Sequence, residues 1–146
     1  MTGQNVLLIV SDEYSRDVLG CYGADCMHTP DIDHLAAEGA RFSCAYTPSP
    51  ICVPARACIT TGTYVHQNCC WSNAQPYHGQ IPGWGHRLID AGHRVVSVGK
   101  LHYRSNEDQN GFDTEIIPLH VKDSIGWARG LLGRDGSSWD GTAHFA

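Results

Sequence analysis

Three short clusters in this 146-residue sequence hold side chains that could do chemistry. Asp12 and Glu13 stand side by side directly after an apolar run. Adjacent carboxylates repel one another and offer hard oxygens, so a divalent cation suits them; the plainer alternative is two acids solvating a loop. Cys52-Val-Pro54-Ala-Arg56 sets a thiol ahead of a helix start, where the positive end of the helix dipole favours negative charge on the residue or on an incoming anion. Arg56, one turn on, carries a rigid fork of donors that fits a tetrahedral oxyanion. A buried cysteine beside a surface arginine is the alternative. Gly99-Lys100-Leu-His102 follows a second apolar run. Lys100 and His102 are two apart, so an extended backbone sends both to the same side. A cation beside a titratable imidazole suits an anionic ester, although two such residues can also be plain surface.

The elements that must position these clusters are legible in the pattern. Asn5-Val-Leu-Leu-Ile-Val-Ser11 is a continuous apolar run ending in polar residues, which predicts a strand buried on both faces of a parallel sheet. Residues 29–39 open with Pro30 and two acids, place Ile32, Leu35 and Ala36 on one face and end in glycine, which predicts a short capped helix. Residues 40–46 predict a strand or extended segment, stopped by Thr47-Pro-Ser-Pro50. Residues 54–61 predict a helix closed by Gly62, with Cys52 just before its N-terminus. Residues 63–83 read as loop, 84–91 as a helix stopped at Gly92, and 94–98 as a second buried strand. Further on, 112–119 fit a short strand, 122–132 a helix, and 133–146 no regular structure. Alternating strands and helices predict an α/β fold with a mainly parallel sheet flanked by helices, in which ligands bind beyond the carboxyl ends of the strands.

Length and composition bound the function. One hundred and forty-six residues suit one ordinary domain. The net charge of −5 makes a nucleic acid or an anionic membrane surface a poor bulk partner. The longest apolar run, Val6 to Val10, falls well short of the roughly 18 residues of a membrane span and of the ~7–15 of a secretory core. A cytoplasmic location is the expectation. Seven cysteines and nine histidines invite a zinc or disulfide framework. No Cys-x2-Cys knuckle recurs, the cysteine count is odd, and a chain of this size needs no staples, so most cysteines read as small buried hydrophobes. Cys52 is the exception.

Taken together the clusters resemble the sulfatase family. Its Cys-x-Pro-x-Arg signature, followed by a helix and Thr-Gly, is matched by Cys52-Val-Pro54-Ala-Arg56-Ala-Cys-Ile-Thr-Thr61-Gly62. Asn5 to Glu13 is similar to the family's first strand and metal loop. Gly20-Cys-Tyr-Gly23, Thr29-Pro-Asp-Ile-Asp-His-Leu35 and Gly39-Ala-Arg-Phe42 are similar to the segment after it, and Gly99-Lys100-Leu-His102 to its Gly-Lys-x-His. Thr47 to Arg56 resembles the choline-sulfatase-like members. The resemblance implies an alkaline-phosphatase-like α/β fold and hydrolysis of a small-molecule sulfate ester. It implies that Cys52 is oxidised to formylglycine by a formylglycine-generating or other sulfatase-maturing enzyme, and that the hydrated aldehyde is the nucleophile. Asp12, Glu13 and residue 52 would bind Ca2+, with Mg2+ or Mn2+ as alternatives. Arg56 would hold the hydrate and Lys100 a sulfate oxygen. His102 would take a proton from the second hydroxyl, so that sulfate is expelled and the aldehyde returns.

Two features depart from the family pattern. Glu13 stands where a second aspartate is commoner, and the later Asp-Asn or Asp-His, Lys and His of the family have no counterpart after residue 103. The expectation is therefore an N-terminal portion of a sulfatase catalytic domain, with little turnover by itself. The competing readings are a phosphonate monoester or phosphodiester hydrolase of the same superfamily, a non-catalytic remnant, and a Cys/His zinc module. Tyr64, Trp71, Tyr77, His78, Trp84 and Tyr103 either line an alcohol pocket or pack the 63–85 loop.

Overall fold

The computed structural model describes residues 5–121. The chain divides into two compact units, Met1–Ala45 and Tyr46–Ala146. The helix expected over 122–132 and the irregular stretch 133–146 lie outside the described residues.

In the first unit, Pro30 presets the φ of the first helical residue, and α1 runs over Pro30–Glu38 as expected. Ahead of it come two short 3-10 turns, Arg16–Val18 and Gly20–Tyr22. The family-like segments of this unit hold one another. Thr29 Oγ1 accepts the Gly20 N–H at 3.0 Å, and Asp33 Oδ1 accepts the Cys21 N–H at 2.6 Å. A Cβ on Gly20 would lie 2.4 Å from Asp33 Oδ2, so a side chain there would push the carboxylate away. The Tyr22 hydroxyl donates to the Phe42 carbonyl at 2.7 Å, and the guanidinium groups of Arg16 and Arg41 lie 5.8 and 5.2 Å from its ring.

One expectation fails here. Residues 5–11 form no strand among the described residues, and Val6 to Val10 are exposed, Leu7 by 83%. A strand is defined by its ladder, and the described residues contain a single paired sheet, which lies in the other unit. Nor do residues 40–46 form a ladder; they run irregularly, with Phe42 and Tyr46 exposed. The apolar face of α1 is likewise not buried: Ile32 and Leu35 are both exposed.

In the second unit, α2 spans Cys52–Thr61, beginning two residues earlier than expected. Pro54 permits this, because any residue of the first turn has an N–H without an intrahelical partner and proline merely lacks one. Gly62 closes the helix in the left-handed conformation, φ 68°, its N–H on the Cys58 carbonyl. A short α3, Val65–Asn68, interrupts the expected loop. Then come α4, Trp84–Asp90, and the strands β1, Val96–Lys100, and β2, Thr114–Leu119. The two strands pair in parallel, Val96 opposite Thr114 and Val98 opposite Ile116, with an irregularity before Lys100 meets Leu119. Gly99, at φ 89°, and Ile117, at φ 51°, lie at that irregularity. Parallel pairing with helices fits the α/β expectation.

The core of this unit is Val53, Ala57, Cys70, Tyr77, Tyr103 and Val121, with Leu101 and Phe112 against it. Two glycines let backbones touch. A Cβ on Gly85 would sit 2.2 Å from the Gly111 carbonyl oxygen, and one on Gly79 2.3 Å from that of Gln109. Among the described residues no helix is long and apolar enough to cross a membrane.

Candidate functional site

Cys52 is the first residue of α2, half-buried, at the end of the helix where backbone N–H groups point outward. One of those donors is fixed from outside the helix: Val53 N–H donates to Asn73 Oδ1 at 3.0 Å. Asn73 lies in a stretch without periodicity, and nothing in the sequence singles it out. On the buried side of the same turn, Val53 and Ala57 anchor the helix in the core.

Lys100 is the last residue of β1, and its Nζ lies 3.9 Å from Cys52 Sγ. Arg56 joins the same group, since its Nη1 donates to the Lys100 carbonyl at 2.6 Å. The structure thus brings Cys52 and Arg56 to Lys100, 48 and 44 residues away in sequence, at the carboxyl end of a parallel strand. A helix N-terminus with a lysine ammonium beside its first side chain favours negative charge there.

His102 follows, 2% exposed, in the left-handed region at φ 58°. This corrects the expected geometry. Lys100 and His102 are not consecutive same-side residues of an extended strand, because β1 ends at Lys100 and the backbone turns over at His102. The turn is held by the His102 N–H, which donates to the Leu119 carbonyl at 2.8 Å. Histidine adopts this conformation more often than most non-glycine residues, though still at a cost.

Asp12 and Glu13 belong to the first unit, on an exposed turn with Glu13 at φ 52°. Among the described residues no three His, Cys, Asp or Glu side chains form a group that could hold a metal ion. Two carboxylates are fewer than the roughly 6–8 oxygens that Ca2+ takes, so these residues alone do not complete an ion site. The cysteines also depart from expectation: Cys58 and Cys70 are buried, but Cys26, Cys44 and Cys69 are exposed. Burial pushes the Cys70 thiol pKa up, against a hydrogen bond from Gln80.

The aromatic residues divide between the two expected roles. Tyr77 and Tyr103 are core, with rings edge to face at 4.9 Å, and Trp84 meets Phe112 edge-on at 5.8 Å. Tyr64 and Trp71 are exposed. Burial raises the pKa of Tyr103 to about 12, against a hydrogen bond with Thr60 and the charge of Arg56. Burial, and then Tyr103, raises that of Tyr77 to about 12. Both hydroxyls remain protonated hydrogen-bonding groups, Tyr77 donating to the Ile81 carbonyl at 2.7 Å and Tyr103 meeting Thr60 Oγ1.

The structure thus sets a thiol at a helix N-terminus beside the lysine at a strand's carboxyl end, within an α/β arrangement. Comparison with known proteins is specific about the family. The sulfatase family model matches residues 4–125. An uncharacterized sulfatase of Escherichia coli K12, YidJ, is 40% identical over 102 residues, covering 70% of this chain and 20% of its own. The choline-sulfatase of Rhizobium meliloti is 32% identical over 123 residues, 84% of this chain and 24% of its own. The solved structure of BT4656 in complex with its substrate D-glucosamine-2-N,6-O-disulfate matches with a TM-score of 0.67 and 35% identity, over 71% of this chain and 21% of that one. The chain belongs to the sulfatase family. It spans about a fifth of the length of these relatives.

Proposed function

We propose that this chain carries the nucleophile and anion-binding part of a sulfate ester hydrolase, as the N-terminal part of its catalytic domain, and that Cys52 is the residue converted to formylglycine. The observation that carries the reading is the approach of Lys100 Nζ to Cys52 Sγ, 3.9 Å, at the first residue of α2. Membership of the sulfatase family supports the reaction class.

Each residue then has a chemical role. The N-terminal end of α2 offers its positive dipole to a sulfate oxygen, while the Val53 N–H is held by Asn73 and the Ala55 N–H by the Ile51 carbonyl. Lys100 supplies a compact positive charge at the same place, so charge developing on the sulfate oxygens is met without reorganisation. Arg56 ties α2 to the end of β1 through the Lys100 carbonyl, which fixes the distance between the two cations and residue 52. His102 accepts and returns a proton at an imidazole nitrogen. Formylglycine supplies, as its hydrate, a geminal hydroxyl nucleophile that a thiol cannot replace. Asp12 and Glu13 are proposed as two of the ligands of a divalent cation, calcium, which would polarise the ester. The substrate class is a sulfated small molecule, and a sulfatase-maturing enzyme is the implied partner.

The test is intact mass of the peptide holding Cys52 after co-expression with a formylglycine-generating enzyme, where conversion lowers the mass by about 18 Da. It is paired with hydrolysis of an aryl sulfate and of the matching aryl phosphate by the full protein. Conversion with preferential sulfate hydrolysis is expected. Faster phosphate hydrolysis would move the assignment to the phosphonate monoester and phosphodiester hydrolases.

A further inference from the structure

Behind His102 lies a polar cluster that the roles above leave unused. The His102 N–H donates to the Leu119 carbonyl at 2.8 Å, and the Val121 N–H donates to the Tyr103 carbonyl at 2.6 Å. These two bonds zip residues 102–103 to 119–121 beyond the regular pairing of β1 and β2. Between them on the outer segment stands His120, whose Nε2 lies 2.6 Å from Glu115 Oε2, both side chains nearly buried. The other carboxylate oxygen, Oε1, accepts from Asn110 Nδ2 at 2.9 Å, and that amide also donates to the Ser105 carbonyl at 2.8 Å. The His120 ring lies 6.1 Å from that of Tyr103.

A carboxylate this far from water is favourable only with partners, and here its two oxygens have two. The cluster also closes a loop in space. It runs from Ser105, just after the His102 turn, through Asn110 and Glu115 to His120, whose neighbours on both sides in sequence bond back to residues 102 and 103. His102 itself holds a left-handed conformation that costs free energy and persists only where its surroundings impose it.

We propose that Glu115 and His120 form a clasp that positions His102, keeping its backbone turned over just beyond the end of β1. The proposal rests on the role assigned to His102 above. His120 acts through the backbone bonds of Leu119 and Val121 and is a positioning residue.

Two variants separate the clasp from general packing. His120→Phe keeps a ring against Tyr103 but offers Glu115 no donor, whereas His120→Gln restores an N–H donor. In the 146-residue chain, amide hydrogen exchange at His102 and Val121 is expected to rise about three- to tenfold in His120→Phe, the loss of one net hydrogen bond, and to return toward the parent value in His120→Gln. Amides of α2 serve as the internal control. In the formylglycine-bearing full protein, His120→Phe is expected to lower kcat for an aryl sulfate about tenfold with KM unchanged, and His120→Gln to restore it. Unchanged exchange at 102 and 121 in His120→Phe overturns the proposal. A uniform rise across the chain overturns it too, because the pair would then be ordinary packing. A parent protein that hydrolyses no sulfate ester removes the functional reading instead, while the exchange result still decides on the clasp.

Discussion

The thiol at the start of α2 and the acids after residues 6–10 are held in opposite ways. Around Cys52 every support is present within its own unit: Val53 and Ala57 are buried, Asn73 takes the Val53 N–H, Arg56 grips the Lys100 carbonyl and Gly62 caps the far end. Ahead of Asp12 the chain is apolar and exposed, with no ladder among the described residues. A helix carries its own i to i−4 hydrogen bonds, so a cluster on a helix needs only a packed face to be positioned. A strand takes its bonds from neighbours, so a cluster at a strand end is only as fixed as the sheet beside it.

That contrast is most sharply tested at the cysteines. Cys52→Ala removes the proposed precursor of the nucleophile, and on that proposal aryl sulfate hydrolysis by the full, matured protein should fall by about a thousandfold or more. Cys44→Ala, in the first unit, alters an exposed side chain and should leave the rate unchanged. Equal losses in the two variants would show that Cys52 has no special place.

Glycines give the next largest effect. Gly85→Ala drives a methyl onto the Gly111 carbonyl, a backbone atom that can move only with its loop, and should cost about 1–3 kcal/mol in urea unfolding. Gly23→Ala meets nothing within 4 Å, and its φ of 94° is the sole penalty, on the order of 1 kcal/mol. A reversed order would mean that the second unit is the looser of the two.

Alkaline pH should loosen the second unit through its buried tyrosines. In the unfolded chain a tyrosine ionises near pH ~10. Tyr77 and Tyr103 hold their protons to about 12 when folded. Between those values the unfolded chain has released protons that the folded chain retains, so stability is full below pH ~10 and declines as pH rises toward 12. Tyr103→Phe should flatten that decline, as read from urea midpoints across the range.

The sequence made the helices more legible than the strands, and the difference is physical. α1, α2 and α4 carry their signals locally, in Pro30, Gly62, Gly92 and the periodic residues between. β1 and β2 were legible as apolar runs before and after the 99–111 region, but not the irregularity at Gly99 and Ile117, which depends on what lies opposite. Residues 6–10 had the strongest strand composition of all and form no strand among the described residues, because composition cannot supply a partner. Of the site, Cys52, Arg56 and Lys100 were candidates by residue type and spacing, were singled out by the family resemblance, and are linked in space through Lys100. The conformation of His102 was not, since its turn is set by Leu119, seventeen residues away. Asn73, Glu115 and His120 have ordinary surroundings in sequence and acquire meaning only through hydrogen bonds.

The smallest effect is expected where the sequence pattern argued most loudly for burial. Leu7 is 83% exposed, so Leu7→Asn removes an apolar side chain from water contact it already has. Unfolding free energy should change by less than about 0.5 kcal/mol, the range of ordinary surface substitutions. The measurement is a pair of urea curves with equal slopes. A loss of about 2 kcal/mol or more would be the magnitude of uncovering a buried leucine, and would show that residues 6–10 are covered in solution and that Asp12 is held as firmly as Cys52.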